Sequence, residues 1–276
     1  MAYQNFIPTI WNETINRELE EVLVFAEDCN RQYEGDVKQK GDSVRILGIG
    51  KPTITTTTDK NIVLDDAETV QDKYQTLTIQ QIAHFNYKID DIDKRQAVGG
   101  VMEALSKETS HGLGNVMDKF IADLAKHDDA VALYDSAKTI TEETILATVD
   151  EALQKLYENN VVPGSGITLT VPPWFYMMMK RAYTHLDTDN SGMVKNGRVG
   201  MYAGATIKMS NNVAVGADGA SLIQVKTNKA IAFVNPMTHT EPYRPEKGFS
   251  DAVKGFVLYD AKIVRPDEMV ILNCKH

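Results

Sequence analysis

The sequence predicts an α+β fold. Three observations carry that reading: some segments repeat apolar residues at helical spacing, others alternate apolar and polar residues, and the two kinds do not follow one another in βαβ order. Of the 276 residues, 43% are hydrophobic and 24% charged, the ordinary composition of a folded chain and not of a disordered one. That length suggests one large domain or two small ones. Surface scaling gives a compact monomer of 30.7 kDa roughly 12,000 Å² of exposed area, against about 44,000 Å² unfolded, so a core can form without a metal or disulfide.

Residues Met1 to Trp11 read as an extended arm, with Phe6, Ile7, Ile10 and Trp11 around Pro8. Ile15, Leu19, Val22, Leu23 and Ala26 then recur at helical spacing, opposite Glu13, Arg17, Glu18, Glu20 and Glu21. This predicts one amphipathic helix that stops near Cys29 and Asn30, with turns at Gly35 and Gly41. From Ser43 to Asp90 the period changes to two. Val44 and Ile46 flank Arg45, Tyr74 to Ile79 is strand-like, and Phe85, Tyr87 and Ile89 alternate with Asn86 and Lys88. Between them, Pro52-Thr53-Ile54-Thr55-Thr56-Thr57-Thr58 has β-branched strand propensity with little to bury. A hairpin of this kind needs something else to lie on.

Asp90-Asp91-Ile92-Asp93 opens the longest element, whose carboxylates suit the positive end of a helix dipole. Val98, Val101, Met102, Leu105, Leu113, Val116, Met117, Phe120, Ile121 and Leu124 hold its apolar stripe. A helix from Asp93 to His127 would span about 50 Å at about 1.5 Å per residue. Gly99, Gly100, Gly112 and Gly114 inside it mark close packing, a bend or a break, since each weakens a helix by about 1 kcal/mol relative to Ala. Beyond it, Thr141 reads as an N-cap with Ile140 and Ile145 as a hydrophobic staple, for a helix through Val149, Leu153 and Leu156 to Asn159. A turn at Val161–Gly166, a strand at Ile167–Val171 and a helix at Trp174–Tyr183 come next. Further strands are predicted at Ala205–Ser210, Leu222–Lys226, Ala230–Val234, Phe256–Val264 and Val270–Asn273. No internal repeat is present.

Charge and motifs narrow the function. With 38 acidic against 29 basic side chains the net charge is −9, and no basic run is present, so wrapping nucleic acid is a poor reading. The two cysteines, Cys29 and Cys274, form no CxxC pair and no zinc spacing. They read as buried or idle thiols in a reducing compartment, a single bridge between them being the alternative. The first basic residue is Arg17, which is no signal-peptide start, and no apolar run approaches the roughly 18 residues of a membrane span. These features predict a soluble protein made in the cytosol.

No GxSxG, HExxH, Walker A or strand-linked GxGxxG motif occurs. Gly48-Ile49-Gly50-Lys51 has the wrong spacing for a phosphate loop and reads as a turn. His84, His111, His127, His185, His239 and His276 form no i,i+4 pair and read as structural or solvent-facing. Asp187-Thr188-Asp189-Asn190-Ser191-Gly192 matches the first half of an EF-hand loop, but Lys195 and Arg198 stand where the ninth and twelfth ligands belong. It reads as a polar loop. Asp65–Glu68 and Asp90–Asp93 read as solvated turn and helix-start charges, and Met177-Met178-Met179 as soft core packing. No catalytic, cofactor-binding or metal-ligating residue is assigned.

The order of several short motifs carries a resemblance. Phe6-Ile7-Pro8, Ile10-Trp11, Leu23-Val24-Phe25-Ala26, Asn30-Arg31-Gln32-Tyr33-Glu34-Gly35 and Gly41-Asp42-Ser43-Val44 come first. Leu77-Thr78-Ile79, Phe85, Ile89-Asp90-Asp91-Ile92-Asp93, Gln96-Ala97 and Asp118 follow, and then Asn196-Gly197, Gly200, Gly204 and Ser210-Asn211-Asn212. In this order they resemble the major capsid proteins of tailed bacteriophages, with the Hong Kong 97-type fold, over nearly the whole chain.

The resemblance implies an N-terminal arm with its helix at 1–40, an extended β-hairpin loop at 41–90 that lies over a neighbouring subunit, and a spine helix of the peripheral domain at 91–129. It further implies an axial domain at 130–252 and C-terminal strands at 253–276 that return to the peripheral domain. The implied function is self-assembly of pentamers and hexamers into an icosahedral shell around double-stranded DNA, with no enzyme activity and no cofactor. Implied partners are the chain itself, a separate scaffolding protein, a portal protein and packaged DNA without sequence-specific contacts; no membrane is implied. The place of action would be the virion, assembled in the host cytoplasm. Gly112 and Gly114 are expected to let the spine helix bend in a precursor shell, and the net charge to make assembly salt-dependent. An encapsulin-like bacterial compartment shell is the alternative, and a soluble enzyme of unknown activity a third reading.

Overall fold

A computed structural model describes residues 23–34, 39–49, 72–90, 101–127, 129–184, 200–245 and 250–276. The expected arm, the helix from Ile15 to Val22, the Thr-rich stretch, Asp65–Glu68, Asp91–Asp93, Gly99, Gly100, His185 and the Asp187–Gly192 loop lie outside them.

Among the described residues, a two-stranded ribbon, two larger sheets and three α-helices form the body. β1 (Ser43–Ile49) and β2 (Asp72–Thr78) pair antiparallel, from Ser43 opposite Thr78 to Ile49 opposite Asp72, as the root of a hairpin. β3 (Gln81–Asp90) leaves that ribbon and joins a three-stranded antiparallel sheet in the order β10-β11-β3, with β10 at Ile231–Tyr243 and β11 at Ser250–Ile263. The larger sheet runs β4-β12-β9-β5-β7-β6, with β8 paired to β9. Its strands are β4 (Lys138–Thr139), β5 (Ile167–Val171), β6 (Met201–Tyr202), β7 (Ala205–Met209), β8 (Ala214–Val215), β9 (Ser221–Thr227) and β12 (Met269–Lys275). The helices are α1 (Val101–Asp123), α2 (Ile145–Glu158) and α3 (Pro173–Thr184).

The period-two alternation explains how the three-stranded sheet is covered. Odd residues of β11 face α1, where Phe120 meets Tyr259 edge-on with ring centroids 5.5 Å apart, and Val257, Ala261 and Ile263 join the main core. The opposite face carries Ala232, Val234 and Leu258, which form a second core with Val44, Ile46, Leu77 and Ile79 of the hairpin root. The main core continues through α2, α3 and the larger sheet, where Ile145, Val149, Leu153 and Leu156 present one helical face.

Several boundaries differ from the sequence reading. Leu23 to Phe25 are not helical, and only Ala26–Asp28 makes a short 3-10 turn. The backbone N–H groups of Val24, Phe25 and Ala26 are taken by a distant carboxylate instead of a helical turn, as described below. α1 stops at Asp123 rather than His127, and Leu124–Lys126 tighten into a 3-10 turn. Gln224 from β9 donates its side-chain amide to the carbonyl oxygens of Ile121 (3.0 Å) and Ala122 (3.1 Å), closing that helix end. The helix passes unbroken through Gly112 and Gly114. Gly112 is exposed, and a Cβ there would meet nothing within 4 Å, so close packing is not its reason.

α2 begins at Ile145, not directly after Thr141. Thr141–Thr144 form a turn in which the Thr141 N–H donates to Thr144 Oγ1 (3.0 Å) and the Ile145 N–H to the Thr141 carbonyl (3.1 Å). β10 and β11 run well past their predicted spans, as a polar ladder in which Glu241 faces Lys254. β12 sits between β4 and β9 in the larger sheet, and Met269-Val270-Ile271-Leu272 is buried without alternation because both faces of the sheet are covered there.

Candidate assembly surfaces

Two segments are firmly anchored to the body. The first is the leading segment, Leu23 to Gln32. Asp118 on α1 accepts three backbone N–H groups from it: Val24 at 2.8 Å on one oxygen, Phe25 at 3.1 Å and Ala26 at 3.2 Å on the other. Asp118 is 1% exposed. Burial pushes its carboxyl above the usual aspartate range, against the opposing pull of the three N–H bonds and of Lys208.

Lys226 on β9, also 1% exposed, donates from Nζ to the Asp28 carbonyl at 2.5 Å and lies 3.7 Å from Cys29 Sγ. Lys208 on β7 bonds the carboxylates of Glu27 (2.6 Å) and Asp28 (3.0 Å). Asn30 then pairs with β10, its N–H to the Ile231 carbonyl (2.8 Å) and its carbonyl from the Phe233 N–H (3.0 Å). Four separate elements therefore hold ten residues that have no regular structure beyond a single short turn.

The second is the hairpin root. Besides its apolar core it is tied to β11 by two polar contacts. The Gln80 N–H donates to Asp260 at 3.0 Å, and Lys262 Nζ donates to the Thr76 carbonyl at 2.9 Å. Asp260 accepts a second bond from the Ala261 N–H (2.8 Å), and burial pushes its carboxyl upward too.

The residues weighed as chemistry stand apart. Gly48 and Ile49 lie in β1, which excludes a phosphate loop there. His84 is exposed on β3, His111 bonds Asn115, His239 lies against Phe256 and His276 against Trp174. Among the described residues no group of three or more His, Cys, Asp or Glu could hold a metal. A cleft of about 420 Å³ between the hairpin root and the end of α1 includes His127, Asp129 and Asp260 in its lining but no Ser or Cys nucleophile. Met178 and Met179 are core residues and Met177 is exposed. No helix among the described residues is long and apolar enough to cross a membrane.

Cys29 and Cys274 are both free and buried. Burial raises the Cys29 thiol, and it raises the Cys274 thiol to about 12. Neither is expected to form thiolate or react with a water-soluble disulfide reagent at pH 8 in the native protein. Both are expected to react once denaturant unfolds it; rapid labelling of the native chain would contradict this.

Some apolar side chains are exposed, Tyr74 at 59% and Val162 at 70% among them.

Comparison with known proteins agrees with the geometry. No protein-family model and no curated protein matches the chain. Solved structures do. A structure from Mycobacterium phage Che8 is similar at 27% identity over 91% of each chain, with a TM-score of 0.74. The capsid of the cyanophage P-SCSP1u is similar at 15% identity over 92% of this chain and 88% of that one, with a TM-score of 0.71. A virus-like particle from Pyrococcus furiosus is similar at 12% identity over 98% and 99%, with a TM-score of 0.62. The chain has the Hong Kong 97-type fold of tailed-phage major capsid proteins.

Proposed function

We propose that this chain is a major capsid protein that assembles with copies of itself into the icosahedral shell of a tailed phage or prophage. The observation that carries the reading is the match to Mycobacterium phage Che8 over 91% of both chains. The two anchored segments are what such a subunit needs, because a segment that reaches a neighbour transmits force only if its base is fixed. The peripheral body is read as α1 with the three-stranded sheet, and the axial body as the larger sheet with α2 and α3. Pentamers and hexamers would form through heterologous contacts that close into rings.

On this reading the partners are other copies, a separate scaffolding protein, a portal protein and double-stranded DNA held without sequence-specific contacts. The shell assembles in the host cytoplasm and ends in the virion. No catalytic step is assigned.

The similarity to the Pyrococcus furiosus virus-like particle supports a second reading, an encapsulin-like compartment shell. The higher TM-scores of the Che8 and P-SCSP1u structures favour the first. Electron microscopy of the expressed chain, alone and with the neighbouring phage proteins, tests both. Closed shells or rings are expected, with DNA packaged in the phage setting. Shells holding a cargo enzyme and no DNA would favour the compartment, and monodisperse small particles under all conditions would end both readings.

A further inference from the structure

We infer that Cys29 and Lys226 form an oxygen-bridged covalent link, Sγ–O–Nζ, when the folded chain meets molecular oxygen. The link uses residues to which the shell reading gives no task, and it forms whether or not the chain assembles.

The two residues are 197 positions apart in the sequence, yet Lys226 Nζ lies 3.7 Å from Cys29 Sγ. Cys29 is 7% exposed and Lys226 1%. The thiol donates its own hydrogen to the Phe25 carbonyl at 3.2 Å, so the sulfur lone pairs are what it offers the ammonium. Both side chains are held in this contact. Asp118 fixes the backbone of the leading segment, and Lys226 rises from β9, an interior strand between β12 and β5.

The charge on Lys226 gives the link a driving force. Its hydrogen bonds go to the Asp28 carbonyl and to the thiol, and no carboxylate is among its partners. A buried ammonium without a counter-ion carries a desolvation cost that nothing nearby cancels. An oxygen bridge is uncharged and removes that cost.

The other thiol is no rival for Cys29. On the β9–β12 pairing Lys226 stands opposite Met269, whereas Cys274 stands opposite Ser221. The two positions are separated by about 17 Å of strand, and a disulfide needs its Cα atoms within about 7 Å. Oxygen also has a way in. A cleft of about 410 Å³ includes Cys29, Asn30, Arg31 and Lys229 in its lining. A small uncharged oxidant can follow it to the sulfur, whereas a disulfide reagent must also align its own sulfurs with the thiol.

The step balances with molecular oxygen as the oxidant. The S–H bond, two N–H bonds of the ammonium and the O=O bond break, and S–O and O–N bonds form. One oxygen atom stays in the bridge. The other leaves as water with two of the hydrogens, and one proton passes to solvent. Sulfur and nitrogen each give up two electrons, and oxygen takes all four. A thiol reductant reverses the link, so in a reducing compartment the leading segment is held by hydrogen bonds alone. Beyond that compartment its base becomes covalent.

The test is made on the purified chain, reduced, freed of reductant and divided between anaerobic and air-saturated buffer. After denaturation without reductant, the anaerobic sample should show both free thiols and the aerated sample only Cys274. The aerated chain should gain one oxygen atom and lose two hydrogens, and its digest should contain a peptide pair joined through Cys29 and Lys226. Dithiothreitol should restore both thiols and the original mass. Cys274→Ala should still form the link and Lys226→Met should not; if the latter fails to fold, the wild-type peptide map decides.

Two free thiols in the aerated wild type, oxygen gained on Cys29 without loss of hydrogen, or a Cys29–Cys274 disulfide overturns the link. Each of these results leaves the shell reading intact, and a chain that never assembles leaves the link intact.

Discussion

Replacing Asp118 with alanine should lower the unfolding free energy by about 3–5 kcal/mol, because it strands two buried N–H groups and a half-buried one at once. The carboxylate is 1% exposed and accepts from Val24, Phe25 and Ala26, and little water can enter to replace it. Asp118→Asn should cost less, about 1–2 kcal/mol. The amide oxygen can still serve Phe25 and Ala26, while its NH₂ would face the Val24 donor. Urea unfolding of the two variants beside the wild type measures both losses; equal losses would mean that the carboxylate acts as a charge and not as an acceptor.

The same carboxyl fixes a pH dependence of unusual sign. Burial raises its pKa in the fold, so the native state binds the proton more tightly than the unfolded chain does. Its contribution to stability is then fullest below the ordinary aspartate value and is lost as pH rises through the window up to the raised folded value. Wild-type stability relative to Asp118→Asn should therefore fall with rising pH across that window. A difference that grows with pH would reverse the assignment.

The second large effect is expected at Gly255. It sits in β11 between β10 and β3, and a Cβ there would lie 2.6 Å from the His239 carbonyl oxygen and 2.6 Å from Cζ of Phe85. The Phe85 ring leans over the glycine and fills the space a side chain would take. Gly255→Ala must push the ring away and also separate two backbones, so about 1–3 kcal/mol of destabilisation is expected, and more for Gly255→Val. A second substitution, Phe85→Leu, should recover only part of the loss, since it removes the ring contact and leaves the backbone one. Full recovery would show that the carbonyl moves freely, and no loss in Gly255→Ala would show that the sheet spreads at little cost.

Much of the fold was legible in the sequence because local patterns decide it. The alternation in β1, β2 and β3 and the stripes of α1, α2 and α3 each reflect a single buried face, while β5 is buried throughout. What was missed depends on residues far apart in the chain. Asp118 drew notice only through resemblance, and its role needs partners 92 to 94 positions away. Lys226 ends a predicted strand, where a lysine reads as solvent-facing, yet its ammonium is buried against the Asp28 carbonyl. The outer halves of β10 and β11 were invisible for another reason. Thr238-His239-Thr240-Glu241-Pro242 has no apolar alternation and contains a proline, and only pairing with β11 makes it a strand. Gly255 did carry a signal, since glycine inside a strand marks a bulge or a close approach, but nothing local says to what.

Asn30 bridges to β10 at Ala232, and the hairpin root packs on that same alanine. The arm and the hairpin therefore share one foundation, a few residues of a single strand. In the proposed shell, where neighbours would meet at five-fold corners and six-fold faces, a subunit would reach adjacent copies through both segments. With a common mount, a tilt of the body would swing the two bases together by the same angle, so curvature would be expressed as one rotation per subunit and passed to both sets of neighbours at once.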